Sequence, residues 1–149
     1  MDVLYVALID SLVVIAAVMI HYEFLGGVSW LLPKIRGNHR LRILAGVYGA
    51  LLAHLAEVAT FASAFYLMDR RYGWGKIEGE HEFEFDDYLY FSLTNFTTLG
   101  YGDIHPVGYL RFLAGLESLT GLVLITWTAS FLFVEMQRNW EDDGDDDQV

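Results

Sequence analysis

The sequence predicts an all-α membrane protein: three transmembrane helices, with a short re-entrant helix and a glycine-bearing loop between the second and third. Three observations predict it. Three long runs are almost free of charge. A helical stretch too short to cross a bilayer follows the second run. A polar segment, "TNFTTLGYGD" (Thr94–Asp103), separates that stretch from the third run.

The runs come first. Val3–Ile20 contains one charge, Asp10; Ile43–Met68 contains only His54 and Glu57 as ionisable groups; Phe112–Val134 contains only Glu117. A bilayer-spanning helix needs about 20 apolar residues, each rising ~1.5 Å. With 54% hydrophobic residues in a chain of 149 and a mean hydropathy of +0.34, too little polar surface is left to cover three such helices in a soluble bundle. The start, Met1-Asp2, lacks the basic leader of a secretory signal, so the first run reads as a span. The absence of cysteine excludes disulfides, thiolate metal sites and cysteine catalysis.

Basic residues orient the spans. The segment "PKIRGNHRLR" holds Lys34, Arg36, Arg40 and Arg42, four of the nine lysines and arginines, and is expected to be cytoplasmic. The N-terminus and the 69–107 region then lie outside, and the C-terminus inside. The net charge of −11 argues against a binder of nucleic-acid phosphates. It is concentrated in "EGEHEFEFDD" (78–87) and "EDDGDDDQV" (141–149). A lysine-poor, acid-rich surface also suits a salty cytoplasm, so a halophilic source explains both clusters as well as function does.

In chain order, the first helix is expected from about Val3 toward Phe24, broken at Gly26-Gly27, with "VSWLLP" at the interface and Trp30 as its anchor. The second rises from near Leu41 to Met68. Asp86-Asp87 then mark a helix start, since negative charge is favourable there. The stretch "YLYFSLTNF" leaves roughly eleven residues before Gly100, ~17 Å of helix, hence re-entrant. Pro106 closes the loop and the third span follows. The organisation is 1–33, an extra N-terminal helix and interfacial segment; 34–42, a basic cytoplasmic loop; 43–138, the central module; 139–149, an acidic disordered tail.

Non-helical backbone is tolerated at membrane depth only where protein or a watery cavity satisfies it. Gly100 and Gly102 can take backbone angles closed to other residues. If the loop alternates between them, successive carbonyls face one axis, while Leu99 and Tyr101 point away and pack on the short helix. Rings of carbonyls from several copies can then replace the water around a dehydrated cation, with Thr98 adding hydroxyls; this is the carbonyl-ring picture of potassium filters.

Residues Thr97, Thr98, Leu99, Gly100, Tyr101, Gly102 and Asp103, followed by "IHP", set after a short helix and between two spans, resemble the pore domain of the potassium channel superfamily. The resemblance is in particular to the small prokaryotic two-helix members. The resemblance covers roughly Leu41 to Arg138. It implies a homotetrameric pore in the plasma membrane, with Thr98, Leu99, Gly100, Tyr101 and Gly102 as selectivity filter. K+ is the permeant ion, held at Thr98, Leu99, Gly100 and Tyr101, and no cofactor or catalysis is implied. Thr97, Asp103, Tyr90, Phe91, Thr94 and Glu117 fall where filter support is expected.

The chain departs from the family pattern at several positions. Leu99 stands where valine or isoleucine is usual. Tyr90-Phe91 replace a tryptophan pair: Tyr90 can donate to Asp103, whereas Phe91 cannot donate to Tyr101. Thr94 stands where some members have glutamate, and Glu117 is expected to bond the re-entrant helix in its stead. Gly121 is either a gating hinge or a close-packing glycine. Asp10, His54 and Glu57 form a candidate buried polar cluster, His54 and Glu57 pairing with each other or with Asp10. The five histidines, His21, His39, His54, His81 and His105, show no H-E-x-x-H spacing. Glu78, Glu80, Glu82 and Glu84 precede the short helix, and the Asp69–Asp87 loop has seven acids against three bases, enough to concentrate cations at a mouth. Two alternatives stand beside the potassium channel: a weakly selective cation channel, and a non-conducting sensor or accessory subunit.

Overall fold

The computed structural model describes residues 2–35, 39–79 and 83–145, with side chains excepted at 2, 39 and 139–145. Its elements are α1 (Asp2–Leu31), α2 (His39–Leu67), β1 (Gly75–Glu78), α3 (Phe85–Phe96), β2 (His105–Gly108) and α4 (Leu110–Asp145). A 3-10 turn, Leu32–Lys34, follows α1, and a π-helical turn, Met68–Tyr72, extends α2. Among the described residues, three helices are long and apolar enough to cross a membrane: Val3–Lys34, Arg40–Tyr72 and Leu110–Arg138.

The helix α1 lies on its own chain's α2 and α4. It runs antiparallel to α2 and parallel to α4. At one end Ser29 donates to Glu135 of α4 (3.1 Å); at the other, Val6 and Asp10 share the wall of a cleft with Tyr109, Phe112 and Leu116. Gly49 lets α1 approach, since a Cβ there would lie 2.4 Å from Val28 Cγ2. Between α2 and α4 sits α3, held by an apolar core of Phe61, Phe65, Tyr88, Phe91, Phe96 and Leu113.

The structure departs from the sequence reading in three places. The expected break at Gly26-Gly27 is absent, and α1 continues to Leu31. A glycine costs a helix about 1 kcal/mol, less than an unsatisfied peptide group costs in lipid. A two-stranded antiparallel ribbon, Gly75 opposite Gly108 through Glu78 opposite His105, joins the exit of α2 to the entry of α4. Last, α4 continues to Asp145 through the first residues of the acidic segment, where no proline interrupts it. Residues 146–149, Arg36, and Glu80, His81 and Glu82 of the acidic alternation lie outside the described residues.

Candidate functional site: the loop after α3 and its supports

The helix α3 begins with a capping box. The Glu84 side chain accepts from the N–H of Asp87, and Asp87 accepts from Glu84 N at 2.7 Å. Its twelve residues make ~18 Å of helix. The start is fastened to the end of α2: Tyr88 donates to Asp69 Oδ2 at 2.7 Å, Ile77 N donates to the same oxygen at 3.2 Å, and Arg70 donates to the Phe83 carbonyl. Burial first, and then the Asp69 bond, push the Tyr88 phenol up to about 12.

The loop then alternates in handedness. Thr98 (φ 59°), Gly100 (φ 49°) and Gly102 (φ 82°) all occupy the left-handed region, with Leu99 and Tyr101 between them outside it. Two of these positions are the glycines expected. Thr98 is the addition, at a cost of roughly 1–2 kcal/mol for a residue with a Cβ. One acceptor organises the turn: the Thr94 carbonyl takes Leu99 N at 2.8 Å and Gly100 N at 3.1 Å, while Thr98 N donates to Asn95 O at 2.9 Å. The contribution of Thr94 is therefore from its main chain, its hydroxyl donating to Phe91 O at 3.0 Å.

Leu99 and Tyr101 do not pack on their own chain's α3. They remain 56% and 68% exposed, so a single copy leaves their flank uncovered. Tyr90 donates to Asp103 Oδ2 at 2.9 Å, the bond the sequence suggested, and that bond raises the Tyr90 phenol. Phe91 instead turns inward, edge-on to Phe65 at 5.0 Å.

Glu117 is fully buried and reaches α3. Its carboxyl meets Ser92 Oγ at 2.5 Å and Asn95 Nδ2 at 2.7 Å; Asn95 also donates to Ala114 O, and Ser92 Oγ lies 2.8 Å from Val58 O of α2. The expected bond to the short helix exists, but through Ser92 and Asn95, two residues the sequence reading passed over. Their spacing of three on one helical face was the available signal. Gly121 packs against the C-terminal end of α3, where a Cβ would lie 2.1 Å from Phe96 O, and α4 passes through this position without interruption.

The polar cluster differs from the one expected. Glu57 accepts from His54 Nδ1 (2.9 Å) and from His21 Nδ1 (2.8 Å), not from Asp10. Asp10 is eleven residues from His21, ~16 Å along α1, and so lies at the wrong depth. Asp10 is buried, and its Oδ1 has no hydrogen-bond partner among the described residues. Matching depths from the shared basic end, rather than from the N-terminus, would have paired position 21 with 57. Of the acidic alternation, Glu78 sits in β1 beside His105 (3.8 Å) and Glu84 caps α3.

A re-entrant helix, a loop of alternating handedness and two flanking membrane-length helices define a pore module. The family model described as "ion channel" matches residues 53–138, more than half of the chain, and the chain belongs to that ion channel family, with a potassium-channel-like pore domain. It is an all-α membrane protein with three candidate spans. Searches of curated proteins and of solved structures found no match.

Proposed function

We propose that the protein is a potassium-selective channel, four copies of which surround one axis in the plasma membrane, with residues 43–138 as the pore domain. The observation that carries this is the left-handed backbone at Thr98, Gly100 and Gly102, every second residue of the loop. A strand alternating in this way directs successive carbonyls to one side, and a ring of such strands can stand in for the hydration shell of K+. One copy supplies a quarter of each ring. The exposed flank of Leu99 and Tyr101 supports an oligomer, since a neighbour must cover it. Thr98 through Gly102 form the filter; the Thr94 carbonyl, Thr97, Phe91, the Tyr90–Asp103 bond and the Glu117 bonds hold it in register. K+ passes down its gradient with no catalysis and no cofactor. The N-terminus and the acidic loop face outward, where the acids concentrate cations, and the C-terminus faces the cytoplasm.

Purified protein in liposomes with opposed K+ and Na+ gradients provides the test. The expected reversal potential follows the K+ gradient, and Tyr101→Ala abolishes that selectivity. A reversal potential indifferent to which cation is exchanged would establish the weakly selective channel instead. Absence of flux from folded oligomer would establish a non-conducting subunit.

A further inference from the structure

His21, His54 and Glu57 meet beside the C-terminal end of α3, the ring of His54 lying 5.7 Å from that of Phe96. The two imidazoles present Nδ1 to opposite oxygens of one carboxylate, His21 at 2.8 Å and His54 at 2.9 Å, and one ligand atom from each of the three residues lies within 4.8 Å of the others. His21 and Glu57 are fully buried; the His54 side chain is 18% exposed and is the point of entry to the cluster.

A carboxylate that stays ionised at this depth is stabilised by a nearby positive charge; Glu57 meets two imidazoles, whereas Glu117 meets only the neutral Ser92 and Asn95. No lysine or arginine within the spans adds to it: Lys34, Arg40, Arg42, Arg70, Arg71, Arg111 and Arg138 all stand within a few residues of a span end. The nearest in sequence, Arg70, is thirteen residues away, ~20 Å along the helix. Two imidazoles and a carboxylate are a donor set suited to zinc and its neighbours, and one that leaves a fourth position open. Bond lengths of about 2.0–2.2 Å require the ligand atoms to stand roughly 3.3 Å apart, so an ion that takes the place of the bridging protons opens each contact by about half an ångström. One ring is already oriented by a hydrogen bond from outside the cluster, His54 Nε2 lying 3.1 Å from Thr128 Oγ1; the His21 ring packs 5.1 Å from that of Trp127, and its Nε2 has no hydrogen-bond partner among the described residues.

We propose that His21, His54 and Glu57 bind one divalent transition-metal ion of the zinc class per subunit, clamping the added helix α1 to the pore domain. The site goes beyond the reading of the filter and does not depend on ion selectivity.

The test titrates metal-free protein in detergent with Co2+, followed by displacement with Zn2+. The expected result is a visible d–d spectrum without thiolate bands, saturating at one equivalent per subunit and removed stoichiometrically by Zn2+. His21→Gln and His54→Gln each weaken binding by more than about tenfold, and Asp10→Asn leaves it unchanged. Because a variant of a buried residue can fail to fold, X-ray absorption on the Zn2+-loaded unmutated protein gives an independent reading, expected to show two imidazoles per ion. Folded protein that takes up no stoichiometric metal would overturn the site and leave a proton-bridged cluster. So would absorption spectra with fewer than two imidazoles, or binding undiminished in the His21→Gln/His54→Gln double variant, either of which places the ion on surface acids.

Discussion

At Gly121 the gap between α4 and the end of α3 has room for a hydrogen atom and nothing larger. A methyl group would be driven against the Phe96 carbonyl oxygen. Gly121→Ala is therefore expected to destabilise the protein by about 1–3 kcal/mol, the usual cost of overpacking. A melting temperature equal to that of the unmutated protein would show that α4 stands farther from α3. Glu117 makes a complementary case. Removing its carboxyl by Glu117→Ala leaves one N–H of the Asn95 amide short of a partner, Ser92 keeping Val58 O and Asn95 keeping Ala114 O, at a cost of about 1–3 kcal/mol, whereas Glu117→Gln retains an acceptor and loses less. Denaturation of both variants side by side reads the difference; equal losses would mean that volume rather than hydrogen bonding matters at 117. Tyr90→Phe leaves the fold intact and deletes the bond to Asp103, so currents are expected to decay faster under sustained driving force while reversal potentials stay unchanged.

The elements are fastened at their ends, and the α2–α3 junction has a pH signature. The Tyr88 phenol donates to Asp69 and its pKa is raised to about 12 from an ordinary ~10. The folded state thus holds this proton more tightly than the unfolded chain does. Its contribution to stability is fully present below about pH 10 and is lost as pH rises through about 12. Helicity followed by circular dichroism should show an alkaline transition in that window, and Tyr88→Phe should lack this limb while starting from lower stability. A transition of the same shape in both proteins would assign it to another group. The ribbon of β1 and β2 belongs to the same junction: it spans from the exit of α2 to the entry of α4 and so fixes both ends of the segment that carries α3 and the loop.

At the scale of the whole molecule, a single copy leaves the flank of its loop uncovered. Leu99 and Tyr101 stand exposed beside a loop whose backbone is held by the Thr94 carbonyl from within the same chain. Native mass spectrometry from mild detergent is expected to return four copies, and exchanging K+ for Na+ should lower the temperature at which they separate, because a bound ion favours the state that binds it. Separation at the same temperature in both salts would count against K+ bound between copies.

The amino-acid sequence alone determined the three spans, because a bilayer demands length and apolarity that no soluble helix needs, and it determined the loop, because glycines two apart between spans serve few other ends. The third left-handed residue, Thr98, was not legible, since a threonine carries no mark of the conformation imposed on it by the hydrogen bonds of Thr94 and Asn95. Equally hidden were Ser92 and Asn95 as partners of Glu117, and the strand ribbon, whose two halves lie some thirty residues apart. Only the tertiary structure decided that α1 packs on its own chain and that His21, not Asp10, faces Glu57. The physical reason is depth: along-chain spacing states how far a residue stands from one end of its helix, but which residues share a level depends on how antiparallel neighbours slide, and packing such as Val28 against Gly49 sets that slide.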